Sequence, residues 1–300
     1  MSSAAELRRF EIPGTATFTD QPDGLVALDV TAPAANGRLF LHGAHVASWQ
    51  PRGAAPVLFM SAKSHFAPGK AIRGGVPLIF PWFGARAGDA KAPQHGFART
   101  ANWQLESLAP AADSVAVVLR LDDSEQTRAS WPFAFTARFR VTFAATLTMA
   151  LEVENRSAEA MQFEEALHTY FVVSDARTVA VRGLENTEFI DKVDGFTRKR
   201  LGAEPLGFSG ETDRVFVNSA ATCTIHDPGL RRRIVVEKSG SNSTVLWNPW
   251  DAKAKAMADF GDAEWPGMLC IETANAAENA VTLAPGATHT MTAVIRVSGE

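Results

Sequence analysis

The chain has 300 residues, 46% hydrophobic and 21% charged, proportions that fit a globular protein with a large core and exclude disordered, collagenous and disulfide-scaffold chains. Twenty-nine Lys and Arg against 33 Asp and Glu leave a net charge of −4, so no global positive field exists to gather nucleic acid. No run approaches the roughly 18 to 20 apolar residues that span a bilayer, and the two cysteines, Cys223 and Cys270, form no C-x-x-C pair, which indicates a reducing compartment.

In chain order, residues 1–14 carry Glu6, Arg8 and Arg9 and no apolar stretch long enough for an export signal, so a cytoplasmic location is expected. After the turn-forming Gln21-Pro22-Asp23-Gly24, residues 24–30 are apolar over strand length. Similar stretches recur at 114–121, 178–181, 221–225, 233–237, 243–247, 268–272 and 288–297, separated by clusters such as His226-Asp227-Pro228-Gly229. The clearest period of two lies in 138–155, where Phe139, Val141 and Phe143, then Leu147, Met149, Leu151 and Val153, alternate with polar or small residues. Two half-buried strands joined near Ala144-Ala145 are predicted there. One helix is predicted over 252–260, capped by Asp251. No linker, charge block or fixed-period repeat divides the chain, so one all-β domain over residues 1–300, a sandwich or barrel, is expected.

Three segments carry chemistry. Segment 71–99 holds Arg73-Gly74-Gly75 and Gln94-His95-Gly96, with Arg99 close behind. Glycines permit close backbone approach to a ligand, and guanidinium forks suit phosphate oxygens. No Walker-type loop is present, so any phosphate belongs to a small substrate and not to a nucleotide. A plainer reading stays open, in which the glycines make a turn and both arginines pair with surface carboxylates. In 163–171, strand alternation puts Glu164, Ala166, His168 and Tyr170 on one face. His168 there can exchange protons near neutral pH, or be a buried histidine satisfied by backbone. In 267–275 an apolar strand ends on Glu272, with Met268 and Cys270 on its face. Partial desolvation would raise its pKa toward that of a useful base, whereas a strand-terminal glutamate turned to water is the alternative.

These segments occur in order with Gly43-Ala44-His45-Val46-Ala47-Ser48-Trp49, Gly210-Glu211-Thr212-Asp213-Arg214-Val215 and Val245-Leu246-Trp247-Asn248-Pro249-Trp250. Along nearly the whole chain the set resembles the aldose 1-epimerase superfamily, specifically its glucose-6-phosphate 1-epimerase branch. The resemblance implies a large antiparallel β-sandwich, a supersandwich with few short helices, whose site lies in a cleft on the concave sheet. It implies His168 as acid and Glu272 as base. It also implies substrate binding by Arg73, Gln94, His95, Arg99 and Asp213, with the arginines facing a 6-phosphate. The implied reaction interconverts the α and β anomers of hexose 6-phosphates, glucose 6-phosphate first, by ring opening, rotation about C1–C2 and reclosure. No cofactor and no metal are required. The expected partner is the hexose 6-phosphate alone, on a monomer, without nucleic acid or membrane.

Other readings stand beside it. The enzyme could act on unphosphorylated sugars, or the sandwich could hold a sugar phosphate through Trp82, Trp247 and Trp250 without catalysis. A glycoside hydrolase would pair Glu164 or Glu165 with Glu272. A metal site built on His42 and His45 with His65 or His95 lacks a carboxylate, and regular strand spacing would put His42 and His45 on opposite faces.

Overall fold

The computed structural model of the protein describes residues 3–299. Strands Phe135–Phe143 and Leu147–Asn155 pair antiparallel around the predicted joint. Phe139, Val141 and Phe143 are fully buried, while Arg140 between them is exposed, which is what a period-two pattern produces when one face meets a core. This hairpin belongs to a nine-stranded sheet, which runs from Leu206–Gly207 through Ala180–Arg182, Cys223–Asp227, Arg232–Ser239, Thr288–Gly299, Leu147–Asn155, Phe135–Phe143 and Val115–Asp122 to Gln104–Pro110. An eight-stranded sheet runs from Thr197–Arg200 through Glu188–Asp191, Thr212–Phe216, Ser243–Asn248, Met268–Asn275 and Glu165–Leu167 to Leu78–Ile79, and Tyr170–Val172 also pairs with Met268–Asn275. Ala16–Asp20, Val26–Thr31, Ala35–Phe40 and His45–Pro51 form a four-stranded sheet.

The large sheets share one core. Phe139, Met149 and Ile295 of the nine-stranded sheet cluster with Leu167, Leu246, Leu269 and Ile271 of the eight-stranded sheet and with Leu28 and Val46 of the four-stranded one. The architecture is the antiparallel β-sandwich that the strand spacing and the resemblance imply. Helices are short: Ala4–Leu7, Glu125–Ser130 and Trp250–Ala256. Among the described residues no helix is long and apolar enough to cross a membrane.

Several expectations are corrected by these details. The predicted helix starts earlier and ends at Ala256, and Asp251 is not its cap. Asn248 Oδ1 accepts the Trp250 N–H, and Asp251 in the first turn pairs instead with Lys255. Gly74 and Gly75 serve protein packing and not ligand approach. A Cβ on Gly75 would lie 2.3 Å from the Val46 carbonyl oxygen, and one on Gly74 would lie 2.5 Å from that of Phe59, so two backbones meet where only glycine fits. His42 lies outside strand His45–Pro51, before a turn formed by Gly43 and Ala44 at positive φ, and its Nε2 lies 2.7 Å from the Lys70 carbonyl oxygen.

His45 is buried beneath Gly75, with Nε2 unpartnered. Burial, reinforced by His42, lowers its pKa to about 3. The folded state thus holds His45 neutral, while the unfolded chain takes up a proton below its ordinary value of about 6.5. Its stabilising contribution is complete above that value and is lost as pH falls toward 3. Stability by chemical denaturation is expected to fall by about 1.4 kcal/mol per pH unit from this group below pH ~6.5. A His45→Gln variant should lose that component of the slope, and an unchanged slope would refute the assignment.

Candidate active site

Strand Met268–Asn275 is buried along its whole length because each face has its own cover. Leu269 and Ile271 point into the core, whereas Met268 and Cys270 pack with Tyr170, Trp247 and Phe260 on the other side. Glu272 follows Met268 and Cys270 in alternation, so it emerges on that second face. A cleft of about 650 Å³ opens there, lined by Arg73, Phe83, Gln94, His95, Glu164, His168, Lys192, Phe196, Asp213, Trp247 and Glu272 among others. The volume suits a small ligand.

Register sets His168 against Glu272. Leu167 pairs with Thr273 and Tyr170 with Cys270, so the two residues between, His168 and Thr169, lie across from Glu272 and Ile271. At His168 the chain leaves the ladder, and its N–H goes to the Pro77 carbonyl. The imidazole Nε2 lies 3.2 Å from Glu272 Oε1, with the two residues 7% and 1% exposed. The ring stacks on Tyr170 at 4.8 Å between centroids and 14° between planes. His168 Nδ1 and Glu272 Oε2 have no hydrogen-bond partner.

Burial, seconded by the neighbouring Asp213, pushes the Glu272 carboxyl well above its ordinary value, against the opposing pull of Lys192 and Arg99. Burial, then the charges of Arg73 and Arg99, hold His168 well below the usual imidazole value. The contact between the pair favours keeping a proton shared between them, so they titrate as a unit. His95 sits 5.9 Å from His168, ring to ring, and is likewise held neutral, by burial and by Arg99. Its Nδ1 accepts the Gly84 N–H, which leaves the proton of a neutral ring on Nε2.

The two arginines differ. Arg73 donates from Nε and Nη2 to Asp259 Oδ2, at 3.2 and 3.0 Å, and from Nη1 to the Tyr170 hydroxyl, at 3.0 Å. Although burial favours its neutral form, Tyr170 and Asp259 keep it firmly charged. Arg99 is not among the residues that line the cleft; its Nη2 donates to the carbonyl of the lining residue Gln94, and it has no carboxylate partner among the described residues. Burial and Arg73 lower its pKa to about 10. Asp213 Oδ2 pairs with Lys192 Nζ at 2.9 Å.

His168, Glu272, Arg73, Gln94, His95 and Asp213 thus converge on one cleft, and Arg99 is joined to it through the Gln94 carbonyl. Sequence reading missed Lys192 and Asp259, which sit in loops without a motif of their own. Of the tryptophans considered for sugar stacking, Trp247 lines the cleft. Trp82 is buried against Phe97, and Trp250 packs on Trp265. The glycosidase pairing is not supported. Glu165 is buried on the opposite face, where it contacts Asn275 and His289, and both Glu164 oxygens are occupied by the N–H groups of Phe83 and Ala277. Among the described residues no three His, Cys, Asp or Glu side chains converge as a metal site would require.

A buried imidazole and a buried carboxylate in contact, in a cleft on one face of a β-sandwich, are groups able to move protons on a small polar ligand. Residues 36–296 match the aldose 1-epimerase family, and the chain belongs to it. It is therefore an isomerase of the mutarotase kind, interconverting hexose anomers. An Escherichia coli K12 protein, provisionally named glucose-6-phosphate 1-epimerase, is 39% identical over 258 residues, covering 85% of each chain. The crystal structure of a protein from Salmonella typhimurium, provisionally called a mutarotase, superposes with a TM-score of 0.90 at 33% identity, covering 97% of this chain and 96% of that one. A galactose mutarotase-like protein from Clostridium acetobutylicum shares the fold alone, with a TM-score of 0.70 at 16% identity over 95% and 98% of the two chains.

Proposed function

We propose that this chain, a single-domain monomer of the cytoplasm, interconverts the anomers of hexose 6-phosphates, glucose 6-phosphate first. Glu272 acts as base, His168 as acid, and Arg73 engages the phosphate with Arg99 as a second nearby cation. The observation that carries the reading is the His168–Glu272 contact in a cleft whose wall also holds Arg73.

Ring opening needs a proton taken from the C1 hydroxyl and one given to the ring oxygen. In the reactive state Glu272 is a carboxylate and His168 an imidazolium, and after both transfers the pair is neutral. The proton count of the pair is restored when the ring recloses on the other carbonyl face. Cancelling two opposite charges inside a desolvated cleft favours the opening step. Nearby cations oppose the imidazolium in the free enzyme. A phosphate dianion on Arg73 offsets them, so the substrate itself helps charge the acid. His95, neutral with its proton on Nε2, supplies a donor to a sugar oxygen, while Gln94 and Asp213 offer hydrogen bonds to ring hydroxyls.

Saturation-transfer NMR on the wild type tests this. Exchange between α and β glucose 6-phosphate is expected to exceed the spontaneous rate, and to exceed the gain seen with glucose. Equal gains with both sugars would remove the phosphate from the proposal. Binding of glucose 6-phosphate without faster exchange would identify a sugar-phosphate-binding module instead.

A further inference from the structure

The turn between strands Glu188–Asp191 and Thr197–Arg200 carries two of the few large apolar side chains left in water, Val193 at 48% and Phe196 at 67% exposure. Phe196 also has φ +62°, a left-handed conformation that a bulky non-glycine residue adopts only at a cost. The turn accounts for the backbone, since Gly195 is left-handed too and the Thr197 N–H donates to the Asp194 carbonyl at 3.1 Å, the closure of a two-residue hairpin turn, but it leaves the phenyl ring in water. Its stem, by contrast, is firmly tied: Arg198 pairs with Glu188 and Glu278, and Lys199 pairs with Asp191 and Asp194. A fixed stem therefore presents a solvent-exposed phenyl ring, and that residue lines the same cleft as His168 and Glu272. In the strand order Thr197–Arg200 is the sheet edge on one side, and Arg73 reaches the cleft beside Tyr170 on the other.

We infer that Phe196 is a substrate-positioning residue, whose ring packs on the C–H face of the bound pyranose at the cleft rim away from the phosphate. A pyranose has an apolar face of axial hydrogens that an aromatic ring can cover, and covering it removes both that face and the phenyl from water. The exposed ring at the cleft rim then has a function, since Phe196 lines the same cleft as the proposed acid and base. The inference rests on the proposed reading of the cleft as a sugar-phosphate site.

The test compares Phe196→Asn and Phe196→Tyr with wild type in the anomer-exchange assay, together with melting temperature and oligomeric state. Asn tolerates the left-handed conformation and removes the ring, and Tyr keeps the ring. For Phe196→Asn, KM for glucose 6-phosphate should rise about five- to thirty-fold, as loss of much of a phenyl burial predicts, with kcat changed less than about two-fold, as removal of uniform binding predicts. Its melting temperature should hold or rise as strain is relieved, and Phe196→Tyr should restore KM. An unchanged KM in Phe196→Asn overturns the inference. A lower melting temperature with unchanged KM would make Phe196 structural, and loss of an oligomer present in the wild type would make the turn a contact between copies. Failure of the wild type itself to exchange glucose 6-phosphate would sink the proposed function instead. In that case calorimetric titration with the same sugar phosphate still decides the inference, which predicts the same five- to thirty-fold weakening in Phe196→Asn, within about a factor of two, from ring burial alone.

Discussion

In Glu272→Gln, exchange between the anomers of glucose 6-phosphate is expected to fall by about 10²- to 10⁴-fold, the usual contribution of one positioned base. The substitution keeps the shape of the side chain and removes its capacity to hold a proton. His168→Ala should lose a comparable amount. The double variant should be scarcely worse than either single one, because in the proposed cycle the two groups move protons as a unit and their effects do not add. Stability separates this from damage to the fold. Glu272 is 1% exposed with one oxygen unpartnered, so its ionised form is a burden to folding, and Glu272→Gln should melt at the wild-type temperature or above it. A fully active Glu272→Gln enzyme would refute the mechanism, and a strongly destabilised one would make the residue structural.

The parts of the fold legible in the sequence are those with one dry and one wet face. Phe135–Phe143 and Leu147–Asn155 could be read at once because Arg140 is exposed while Phe139 and Val141 are buried. Thr197–Arg200 was invisible, since all four residues are exposed and the strand is held by pairing with Glu188–Asp191 and by ion pairs, not by apolar burial. The stretch 163–171, whose alternation suggests one strand, falls into three pieces: Met161–Phe163 pairs with Val281–Leu283, and Glu165–Leu167 and Tyr170–Val172 pair with Met268–Asn275 on either side of the break at His168. Local alternation still gave the useful result, because Glu164 and His168 do face one cleft.

The proposed acid and base were legible for a different reason. An apolar run ending in Glu272 signals a carboxylate drawn into a dry place, whereas its distance from His168 depends on a strand pairing between segments about a hundred residues apart, which periodicity does not encode. Ordered motifs supplied that link. Lys192 and Asp259 were out of reach for the same reason. Each is an ordinary charged residue in its own segment, and it acquires meaning only because Lys192 meets Asp213 and Asp259 meets Arg73 across the fold.

Arg73→Ala should separate the two sugars. With glucose 6-phosphate, kcat/KM is expected to drop by about 10²-fold, the scale of losing a charge-assisted contact in a largely desolvated site. Exchange of glucose should hold or rise, because the removed guanidinium is the foremost cation opposing protonation of His168. The free partner does not confuse the outcome, since the Asp259 side chain is 22% exposed and can rehydrate. Arg73→Lys should fall between, because an ammonium can meet a phosphate but cannot at once hold Asp259 and the Tyr170 hydroxyl in the planar fork that Arg73 uses. Parallel losses on glucose and glucose 6-phosphate would mean that Arg73 merely supports the cleft. Opposite changes would mean that one arginine both recruits the phosphate and, until the phosphate arrives, holds the acid uncharged.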